Sequence, residues 1–367
     1  MTSASRRTPE SPLRVGIVGC GNVSRLYLPD FASLSGVELA ACTDVDVHRA
    51  AALAERGGVR ALAFDELLAD PTIDVVLNLT PAPEHARVSL AAIEAGKHVY
   101  SEKPLATDLG AARAILVAAD RRGVRVGCAP DTFLGGGLQT ARDVLDSGAI
   151  GTALGAHAAV LHLGPERWHP DPEGFFGPGG GPLLDVGPYY IAALVSLLGP
   201  VVEVDAIGRA TGGTRRIGSG PRAGTTFVAT APTYVIASYR FASGVVAGFT
   251  ASFDVVASAA PHLEIHGTEG SILIGDPNVF DGEVSLQRLG ADAWEKVPLR
   301  SDAGSVRGIG LAEMTEAITS GRPHRASGEL AFHVLEILLA TDAAIVGDAR
   351  PIRSTVERPL PIRLASP

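Results

Sequence analysis

Three side chains in two short segments have the types that acid-base chemistry on a hydroxyl group requires. Lys103 supplies a cation in the tripeptide EKP, and Asp185 and Tyr189 supply a carboxylate and a phenol in the pentapeptide DVGPY. A phenol with an ordinary pKa of about 10 is a weak base at neutral pH, but a lysine cation a few ångströms away would lower that pKa. We therefore expect Lys103, Asp185 and Tyr189 to form a catalytic group that removes a hydroxyl proton.

The local structure of the DVGPY segment depends on where its helix begins. The preceding run GPGGGP contains too much glycine for a helix or strand interior, and an apolar helical pattern follows it. A helix that begins near Pro182 would place Asp185 and Tyr189 on one face. A helix that begins at Pro188 would leave Asp185 in the entering loop, and the sequence does not decide between the two.

A glycine-rich turn near the start of the chain has the pattern of a dinucleotide-binding site. Gly19, Gly21 and Ser24 follow the strand-like run LRVGIVG and open a helix-like run, and Asn22 and Val23 complete the turn. The first glycine permits a tight turn, the second lets the backbone approach a pyrophosphate, and the small serine allows close helix packing. A structural turn without a nucleotide is the alternative. The context favours a nicotinamide dinucleotide as the hydride acceptor.

A carboxylate at the end of the second predicted strand selects between the two nicotinamide cofactors. Asp44 ends the run VELAACTD, where it would accept hydrogen bonds from the adenosine ribose and repel a 2′-phosphate. We therefore predict NAD, with NADP disfavoured. Asp46 could share the ribose contact, Arg49 keeps NADP from being excluded, and capping of the next helix by Asp44 or Asp46 is the alternative.

Further cofactor contacts are predicted at the carboxyl ends of the next strands, where ligands of open parallel sheets collect. Thr80 and Pro81 should flank the nicotinamide ribose, and His85 could reach the same crevice, although a surface or capping histidine is an equal alternative. Glu102 and Lys103 follow the run HVYS and are also predicted to contact the cofactor. Lys103 could instead be a solvated lysine paired with Glu102.

Substrate contacts are predicted in the run RWHPD, which lies just before the glycine-rich segment. Trp168 offers an aromatic face and His169 a polar ring, and both suit a polyhydroxylated ligand. Asp131, just after the nucleotide-binding region, could line the same cleft. A tryptophan buried for packing and a structural histidine are the alternatives. Lys103, Asp185 and Tyr189 are also predicted to contact the substrate.

The periodicity of the chain predicts an α/β protein with two domains. In residues 13–129, short β-branched runs alternate with Ala-rich helical segments, which is typical of a Rossmann domain with a doubly wound parallel sheet. Residues 130–367 are predicted to form an α+β domain with a large, mostly antiparallel, open-faced sheet. The polar residues 1–12 are expected to be a disordered tail.

The composition argues against several other classes of protein. Of 367 residues, 31 are Lys or Arg and 40 are Asp or Glu, and the net charge of −9 does not suit a nucleic-acid or anionic-membrane surface. No apolar run approaches the ~18 residues of a membrane span, and nothing at the start resembles a signal peptide. The three cysteines lie far apart, so we expect buried thiols and no metal site. A cytoplasmic location is expected.

Together these motifs resemble those of the Gfo/Idh/MocA superfamily of glucose-fructose oxidoreductase and inositol dehydrogenase. The resemblance runs from VGIVGCGN to ASGELAFHVLEI and includes AGKHVYSEKPLA, GAIG, GGGPLLDVGPYY and HGTEGS in the expected order. It implies a Rossmann domain, a C-terminal sheet used in oligomerisation, and Lys103 as the catalytic lysine of the EKP motif. Many relatives carry Asp-x-Gly-x-His, whereas this chain has Tyr189 in place of the histidine, as in the glucose-fructose oxidoreductase and dihydrodiol dehydrogenase branches.

These expectations combine into an NAD-dependent dehydrogenase that oxidises a secondary hydroxyl of a sugar, glycoside or cyclitol, or reduces the corresponding ketone. Lys103 would polarise the reacting oxygen, Tyr189 would transfer its proton, and Asp185 would orient the substrate. The alternatives are a non-catalytic sensor of NAD and a metabolite, and a sugar-sugar oxidoreductase that retains its cofactor. A homodimer or homotetramer formed through the C-terminal sheet is expected.

Overall fold

The computed structural model describes residues 11–210, 212–300 and 306–362 of the chain. Contacts between Cα atoms divide these residues into two compact units. One contains the predicted nucleotide-binding region, and the other contains most of the chain that follows it. Each unit has its own sheet.

The first unit is built on six parallel strands that come in quick succession along the chain. They are β1 (Leu13–Val18), β2 (Val37–Thr43), β3 (Arg60–Ala61), β4 (Val75–Asn78), β5 (His98–Ser101) and β6 (Val126–Cys128). Their order across the sheet is β3-β2-β1-β4-β5-β6, and every neighbouring pair is parallel. This is the strand order of a dinucleotide-binding Rossmann sheet, and its switch point lies between β1 and β4.

Helices connect these strands, and their ends carry clear local signals. They are α1 (Ser24–Tyr27), α2 (Val47–Gly57), α3 (Phe64–Ala69), α4 (His85–Glu94) and α5 (Leu109–Arg122). The side chain of Asp46 caps α2 and that of Asp108 caps α5. The same two helices end at Gly58 and Gly123, whose φ angles of 64° and 66° are in the left-handed region that favours glycine.

The second unit is built on a larger sheet and a short hairpin. Its strands are β7 (Ala153–Leu161), β8 (Val201–Arg209), β9 (Thr214–Arg216), β10 (Thr226–Val228), β11 (Tyr234–Phe241), β12 (Val246–Ser252), β13 (Leu263–Gly267), β14 (Gly270–Ile274), β15 (Val284–Arg288), β16 (Glu295–Val297) and β17 (Arg350–Pro351). Nine of them form a sheet in the order β16-β15-β14-β13-β7-β12-β11-β8-β17, while β9 and β10 pair separately. Only β7 and β12 pair in parallel among these neighbours. The predicted fold class is confirmed.

Helices cover one face of the large sheet and leave the other open. The second unit contains α6 (Gly136–Asp146), α7 (Gly181–Asp185) and α8 (Gly187–Leu198). Along β11, burial alternates strictly, so that Val235 and Tyr239 are buried while Ile236 is 45% exposed. A strand with one buried and one solvated face gives this period of two.

The segment Val306–Phe332 returns to the first unit, although the sequence pattern assigned it to the second domain. It contains α9 (Ile309–Ser320) and the start of α10 (Gly328–Ala344). The backbone N–H of Cys128 donates to the carbonyl of Ala326 over 3.0 Å. This long-range bond continues the edge of the parallel sheet, and a local sequence pattern cannot reveal it.

Three further expectations concern the cysteines, membrane spans and the N-terminal tail. The three cysteines are free and buried, as predicted. In the described ranges, no helix has both the length and the apolar character that a membrane span needs. The predicted tail falls largely on residues 1–10, which lie outside the described residues.

Candidate active site

The turn after β1 requires glycine at one of its two fingerprint positions for reasons of structure alone. Gly19 has a φ of +99°, and a Cβ there would lie 2.7 Å from the carbonyl carbon of Leu79. Gly21 has no positive φ, and a Cβ there would meet no atom of the described chain within 4 Å. Neither conformation nor packing explains this second glycine. Without a side chain the backbone is open to close approach of a ligand, so the turn fits the pyrophosphate of a dinucleotide.

The residues that follow the second glycine form one turn of helix. Asn22 and Val23 are exposed and lead into α1, and Ser24 is fully buried. The Ser24 hydroxyl donates to the carbonyl of Gly21 over 2.7 Å. The small serine therefore holds the turn close to α1, as the fingerprint requires, and leaves the first two residues at the surface.

Two acidic residues at the end of β2 have separate roles. Asp44 accepts hydrogen bonds from the backbone N–H of Cys20 at 2.7 Å and from that of Asp46 at 2.8 Å. The side chain of Asp46 instead accepts from the N–H of His48 at 2.9 Å and caps α2. The capping alternative therefore applies to Asp46, and Asp44 is held beside the glycine turn. This position suits a carboxylate that binds the adenosine ribose.

A hydrogen-bonded group surrounds Thr80 at the end of β4. Asn78 is fully buried, and its side-chain oxygen accepts from the Thr80 hydroxyl at 2.6 Å. Its amide nitrogen donates to the carbonyl of His85 at 3.0 Å. Asn78 was not among the predicted site residues, although its place at the end of a buried strand was visible in the sequence. It fixes the direction of the Thr80-Pro81 segment at the ligand-binding edge of the sheet.

The imidazole of His85 lies inside the first unit, with only 1% of the residue exposed. Its Nδ1 is 2.6 Å from the carbonyl oxygen of Pro104, and its Nε2 is 2.8 Å from that of Thr80. Carbonyl oxygens only accept, so both contacts are hydrogen bonds when each ring nitrogen carries a proton. His85 thus ties the end of β4 to the segment after β5. The surface alternative does not apply, and the buried ring presents no face to a cofactor.

Glu102 is buried beneath the candidate lysine and is fully engaged by groups of its own unit. Its Oε1 accepts from the hydroxyl of Tyr27 at 2.8 Å, and its Oε2 accepts from the backbone N–H of Lys103 at 3.2 Å. Burial raises the pKa of Tyr27 well above its usual value, and the neighbouring Glu102 adds to the shift, so the phenol stays protonated. Tyr27 lies on α1, and no sequence signal pointed to it. The pair joins the nucleotide-binding turn to half-buried Lys103.

Asp131 is fully buried and holds the returning segment. Its Oδ2 accepts from the N–H of Gly308 at 3.1 Å and from the N–H of Gly310 at 2.9 Å. Burial raises the pKa of this carboxyl, although the bond from Gly310 acts in the opposite direction. The two hydrogen bonds show that Asp131 braces the returning segment through one carboxylate oxygen. Its contact with substrate stays a prediction.

Asp185 and Tyr189 lie on either side of a junction between two helices. Asp185 ends α7 and Tyr189 lies in the first turn of α8, with Val186 between the helices at φ −103° and ψ −28°. Both remain half-buried, and Tyr189 is the one residue of α8 that is not buried. Pro182 and Pro188 each stand at the start of a helix, so both start points that the sequence offered are used. Asp185 and Tyr189 nevertheless do not share one helix, and Asp185 does not lie in a loop, so neither alternative holds in full.

Trp168 and His169 follow a short 3-10 turn in the second unit. Trp168 is 66% exposed, so packing does not account for it. The ring of His169 makes edge contacts with Trp168 and with Phe175, at centroid distances of 5.6 and 5.0 Å. Its Nδ1 accepts the backbone N–H of Asp171 at 3.1 Å, which leaves the other ring nitrogen as the donor. An exposed aromatic face beside a hydrogen-bond donor suits a sugar ring.

The predicted site residues are divided between the two units. Gly19 to Val23, Asp44, Thr80, Pro81, His85, Glu102, Lys103 and Asp131 belong to the first, and Trp168, His169, Asp185 and Tyr189 belong to the second. Within the first unit, hydrogen bonds join the ends of β1, β4 and β5. This is the arrangement of a dinucleotide site at the carboxyl edge of a parallel sheet.

Comparison with known proteins agrees with these observations. Residues 13–129 match a family model described as an oxidoreductase family with an NAD-binding Rossmann fold. The chain is therefore an oxidoreductase with a Rossmann domain of the NAD-binding class. Residues 138–273 match the C-terminal domain of the same family. The chain belongs to the GFO/IDH/MocA family, as its motifs predicted.

Two curated relatives and two solved structures illustrate the similarity. A 1,5-anhydro-D-fructose reductase of Ensifer adhaerens is 30% identical over 93% of this chain and 99% of its own length. An inositol 2-dehydrogenase of Saccharopolyspora erythraea is 35% identical, over 43% of this chain and 48% of its own. A levoglucosan dehydrogenase bound to NADH and L-sorbose covers 94% of this chain and all of its own with a TM-score of 0.79 at 22% identity. An NAD-binding oxidoreductase from Klebsiella pneumoniae covers 93% and 99%, with a TM-score of 0.77 at 23% identity, and both structures share the fold.

Proposed function

We propose that the protein is an NAD-dependent dehydrogenase that oxidises a secondary hydroxyl of a sugar, glycoside or cyclitol, or reduces the corresponding ketone. The observation that supports the cofactor is Gly21, where neither backbone conformation nor packing in the described chain requires glycine and the backbone is open to a ligand. The substrate class is supported by the relatives, among them the 1,5-anhydro-D-fructose reductase that matches nearly the whole chain. The exposed ring of Trp168 adds a surface on which a sugar can stack.

When bound, the nicotinamide of NAD would supply the hydride acceptor for the carbinol carbon of the substrate. The phenolate of Tyr189 takes the hydroxyl proton, and the alcohol carbon becomes a carbonyl. Lys103 stabilises the negative charge that develops on the reacting oxygen, and Asp185 binds a neighbouring hydroxyl and orients the ring. The same groups act in the opposite direction when a ketone is reduced.

We further propose that NAD is preferred to NADP. Asp44 is fixed by two backbone N–H groups beside the glycine turn, where a 2′-phosphate would meet its negative charge. Arg49 does not compensate, because its guanidinium is paired with Asp46 at 3.4 Å. The ribose hydroxyls of NAD would instead donate to the Asp44 carboxylate.

The test is turnover and nucleotide binding measured on the same variants. Lys103→Ala and Tyr189→Phe are each expected to lower turnover about 10²–10⁴-fold, the range that a general acid or base contributes. Binding of NAD, followed by fluorescence titration, should change little. Lys296→Ala is the matched control. This lysine lies on the edge strand β16, is exposed and pairs with Glu283. Turnover is followed as reduced nicotinamide across a panel of sugars, glycosides and inositols.

The outcomes separate the alternatives. Unchanged turnover in Lys103→Ala would overturn the catalytic assignment. Intact NAD binding without reduced nicotinamide on any member of the panel would favour a sensor. A nucleotide that stays bound through purification and is recycled by a second sugar would favour a sugar-sugar oxidoreductase.

A further inference from the structure

A cavity of about 800 Å³ lies entirely within the second unit, between the 3-10 turn Pro165–Arg167 and the β9–β10 hairpin. Its volume is that of an ordinary small-molecule site. Arg167, Arg215 and Arg216 line it. Three arginines in one cavity are notable because the chain as a whole carries a net charge of −9.

One of the three arginines is neutralised by the protein. Arg215 is largely buried, donates to Glu166 at 2.9 Å and forms a second ion pair with Asp254. Its guanidinium also lies over the ring of Phe176, 4.7 Å from the centroid. Arg215 is therefore a fixed part of the floor of the cavity.

The other two arginines have no such partners. Arg167 and Arg216 are exposed, and their guanidinium groups make no hydrogen bond or ion pair with the residues that the structure describes. Like charges in one cavity repel each other, and an anionic ligand would offset this repulsion. Guanidinium groups bind carboxylates and phosphates through paired N–H donors.

Glycines bring the two walls of this cavity together. A Cβ on Gly218 would lie 2.5 Å from the carbonyl oxygen of Arg167, and the N–H of Gly218 donates to the carbonyl of Glu166 at 2.7 Å. Gly224 has a φ of +90° and closes the hairpin beside Arg216. A side chain at position 218 would push the hairpin away from Arg167, and one at position 224 would strain the backbone beside Arg216. The cavity is thus formed by specific close contacts.

The cavity is also connected to the candidate substrate residues of its own unit. Trp168 follows Arg167 directly, and its carbonyl accepts from the hydroxyl of Ser219 on the hairpin at 2.6 Å. Beneath Arg215, Phe176 belongs to a packed cluster that includes Val186. Val186 joins Asp185 to α8, so the cluster under the floor of the cavity also packs against the segment that carries Asp185 and Tyr189.

We propose that this cavity is a subsite for an anionic group carried on a carbohydrate, either a carboxylate or a phosphate. Arg167 and Arg216 bind the anion, and the exposed face of Trp168 supports the sugar ring. The inference rests on the proposed dehydrogenase function and narrows its substrate class to acidic sugars. The two possible anions share the same recognition chemistry and are separated by experiment.

The experiment measures binding of D-glucuronate, D-glucose 6-phosphate and D-glucose by calorimetry at low ionic strength, with NADH present so that no sugar is oxidised during the titration. The wild-type protein should bind at least one acidic sugar about tenfold or more tightly than D-glucose, as expected for one charge-assisted hydrogen bond. The double variant Arg167→Gln, Arg216→Gln should lose that advantage and keep its NAD affinity. Added salt should weaken binding of the acidic sugar but not of glucose.

Arg240→Gln is the matched control, because it removes the same charge from an exposed residue of β11 that pairs with Glu203. This variant should bind the acidic sugar like the wild type. Equal affinity for D-glucose and both acidic sugars, or an unchanged double variant, would overturn the subsite. Inorganic phosphate that binds as tightly as the sugar acids would overturn its assignment to a carbohydrate.

Failure of the subsite is distinguishable from failure of the proposed function. If a neutral sugar is oxidised equally well by the wild type and the double variant, without acid preference, the dehydrogenase stands and the subsite is rejected. If the acidic sugar binds through the two arginines but no reduced nicotinamide forms, the subsite stands and the dehydrogenase is rejected.

Discussion

Gly19 and Gly21 stand two residues apart in one turn, yet the protein itself requires only the first. The left-handed backbone at Gly19 and the adjacent carbonyl of Leu79 exclude any side chain there. At Gly21 a side chain would meet only space outside the described chain. The same residue type is therefore required by the fold at Gly19, and at Gly21 it leaves the backbone open to a ligand.

This contrast predicts that substitution by alanine lowers stability at Gly19 and lowers NAD affinity at Gly21. Gly19→Ala should lower the free energy of unfolding by about 2 kcal/mol or more, because it adds left-handed strain and a backbone clash. Gly21→Ala should leave that free energy nearly unchanged and weaken NAD binding. Urea unfolding and fluorescence titration of both variants measure the two effects. Wild-type NAD affinity in Gly21→Ala would contradict the ligand explanation.

Asp44 and Asp46 provide a charge-matched pair for the cofactor preference. Asp44→Asn keeps a side-chain oxygen for the glycine turn but removes the charge that repels a 2′-phosphate. We expect the ratio of kcat/KM for NAD over NADP to fall about tenfold, which corresponds to roughly 1.4 kcal/mol. Asp46→Asn removes the same charge and keeps a good helix cap but frees Arg49 from its ion pair, so its ratio should fall less than that of Asp44→Asn. Equal ratios in both variants would assign the preference to other residues.

At the scale of elements, the two prolines near the catalytic segment show what local sequence can and cannot decide. Pro182 and Pro188 each favour the first turn of a helix, so the pattern permitted two start points. The structure uses both, and Asp185 and Tyr189 belong to different helices. The position of the break between the two helices depends on packing against distant residues. A Cβ on Gly187, for example, would lie 3.0 Å from Leu338 on α10.

The strength of the local signal explains which elements were predicted. The buried runs of β1, β2, β4, β5 and β6 were recognised from their apolar β-branched residues. Strand β3 was missed because Arg60 and Ala61 are exposed and too few to form a pattern. The types of the site residues were visible in the sequence, but the partners of His85 and Glu102 lie on distant segments. Such hydrogen bonds leave no local periodicity.

A buried histidine on helix α10 makes the stability of the protein depend on pH. His333 on this helix is fully buried, and its Nε2 accepts the backbone N–H of Val201 at 3.1 Å. Burial lowers the pKa of His333 to about 4, although Glu336 acts in the opposite direction. The unfolded chain binds this proton with an ordinary pKa of about 6.5. The contribution of His333 to the free energy of unfolding is therefore fully present above about pH 6.5 and is lost as the pH decreases toward 4.

From His333 alone, the free energy of unfolding should be about 2 kcal/mol lower at pH 5 than at pH 7.5. Burial also lowers the pKa of His98 and that of His324, which adds a decrease in the same direction. His333→Gln should flatten the profile by the share of His333, measured by urea unfolding at both pH values. His48→Gln, which replaces an exposed histidine, is the control. An unchanged slope in His333→Gln would contradict the assignment.

At the scale of the whole molecule, the uncovered face of the nine-stranded sheet carries exposed apolar side chains. Ile207 of β8 and Ile236 of β11 are cross-strand partners on that face, 69% and 45% exposed. Val246 on the next strand is 57% exposed. We propose that a second copy of the chain covers this face, because exposed apolar side chains at a sheet surface favour association.

The proposal predicts that Ile236→Asp dissociates the assembly. The wild type should sediment as a dimer or tetramer, and the variant as a monomer with an unchanged circular dichroism spectrum. Val256→Asp places the same charge on an exposed residue outside the strands and should leave the assembly intact. A monomeric wild type at all concentrations tested would refute the proposal.

The return of Val306–Phe332 to the first unit has a consequence for protein synthesis. A ribosome that has completed β6 has not yet made Gly308 and Gly310, the donors to buried Asp131, or Ala326, the acceptor of the Cys128 N–H. The nucleotide-binding unit therefore cannot complete these hydrogen bonds in the order in which its strands emerge from the ribosome. Stalled nascent chains probed by proteolysis should become resistant only after the tract up to residue 332 has left the exit tunnel. Resistance in chains stalled near residue 200 would show that the unit forms without its returning segment.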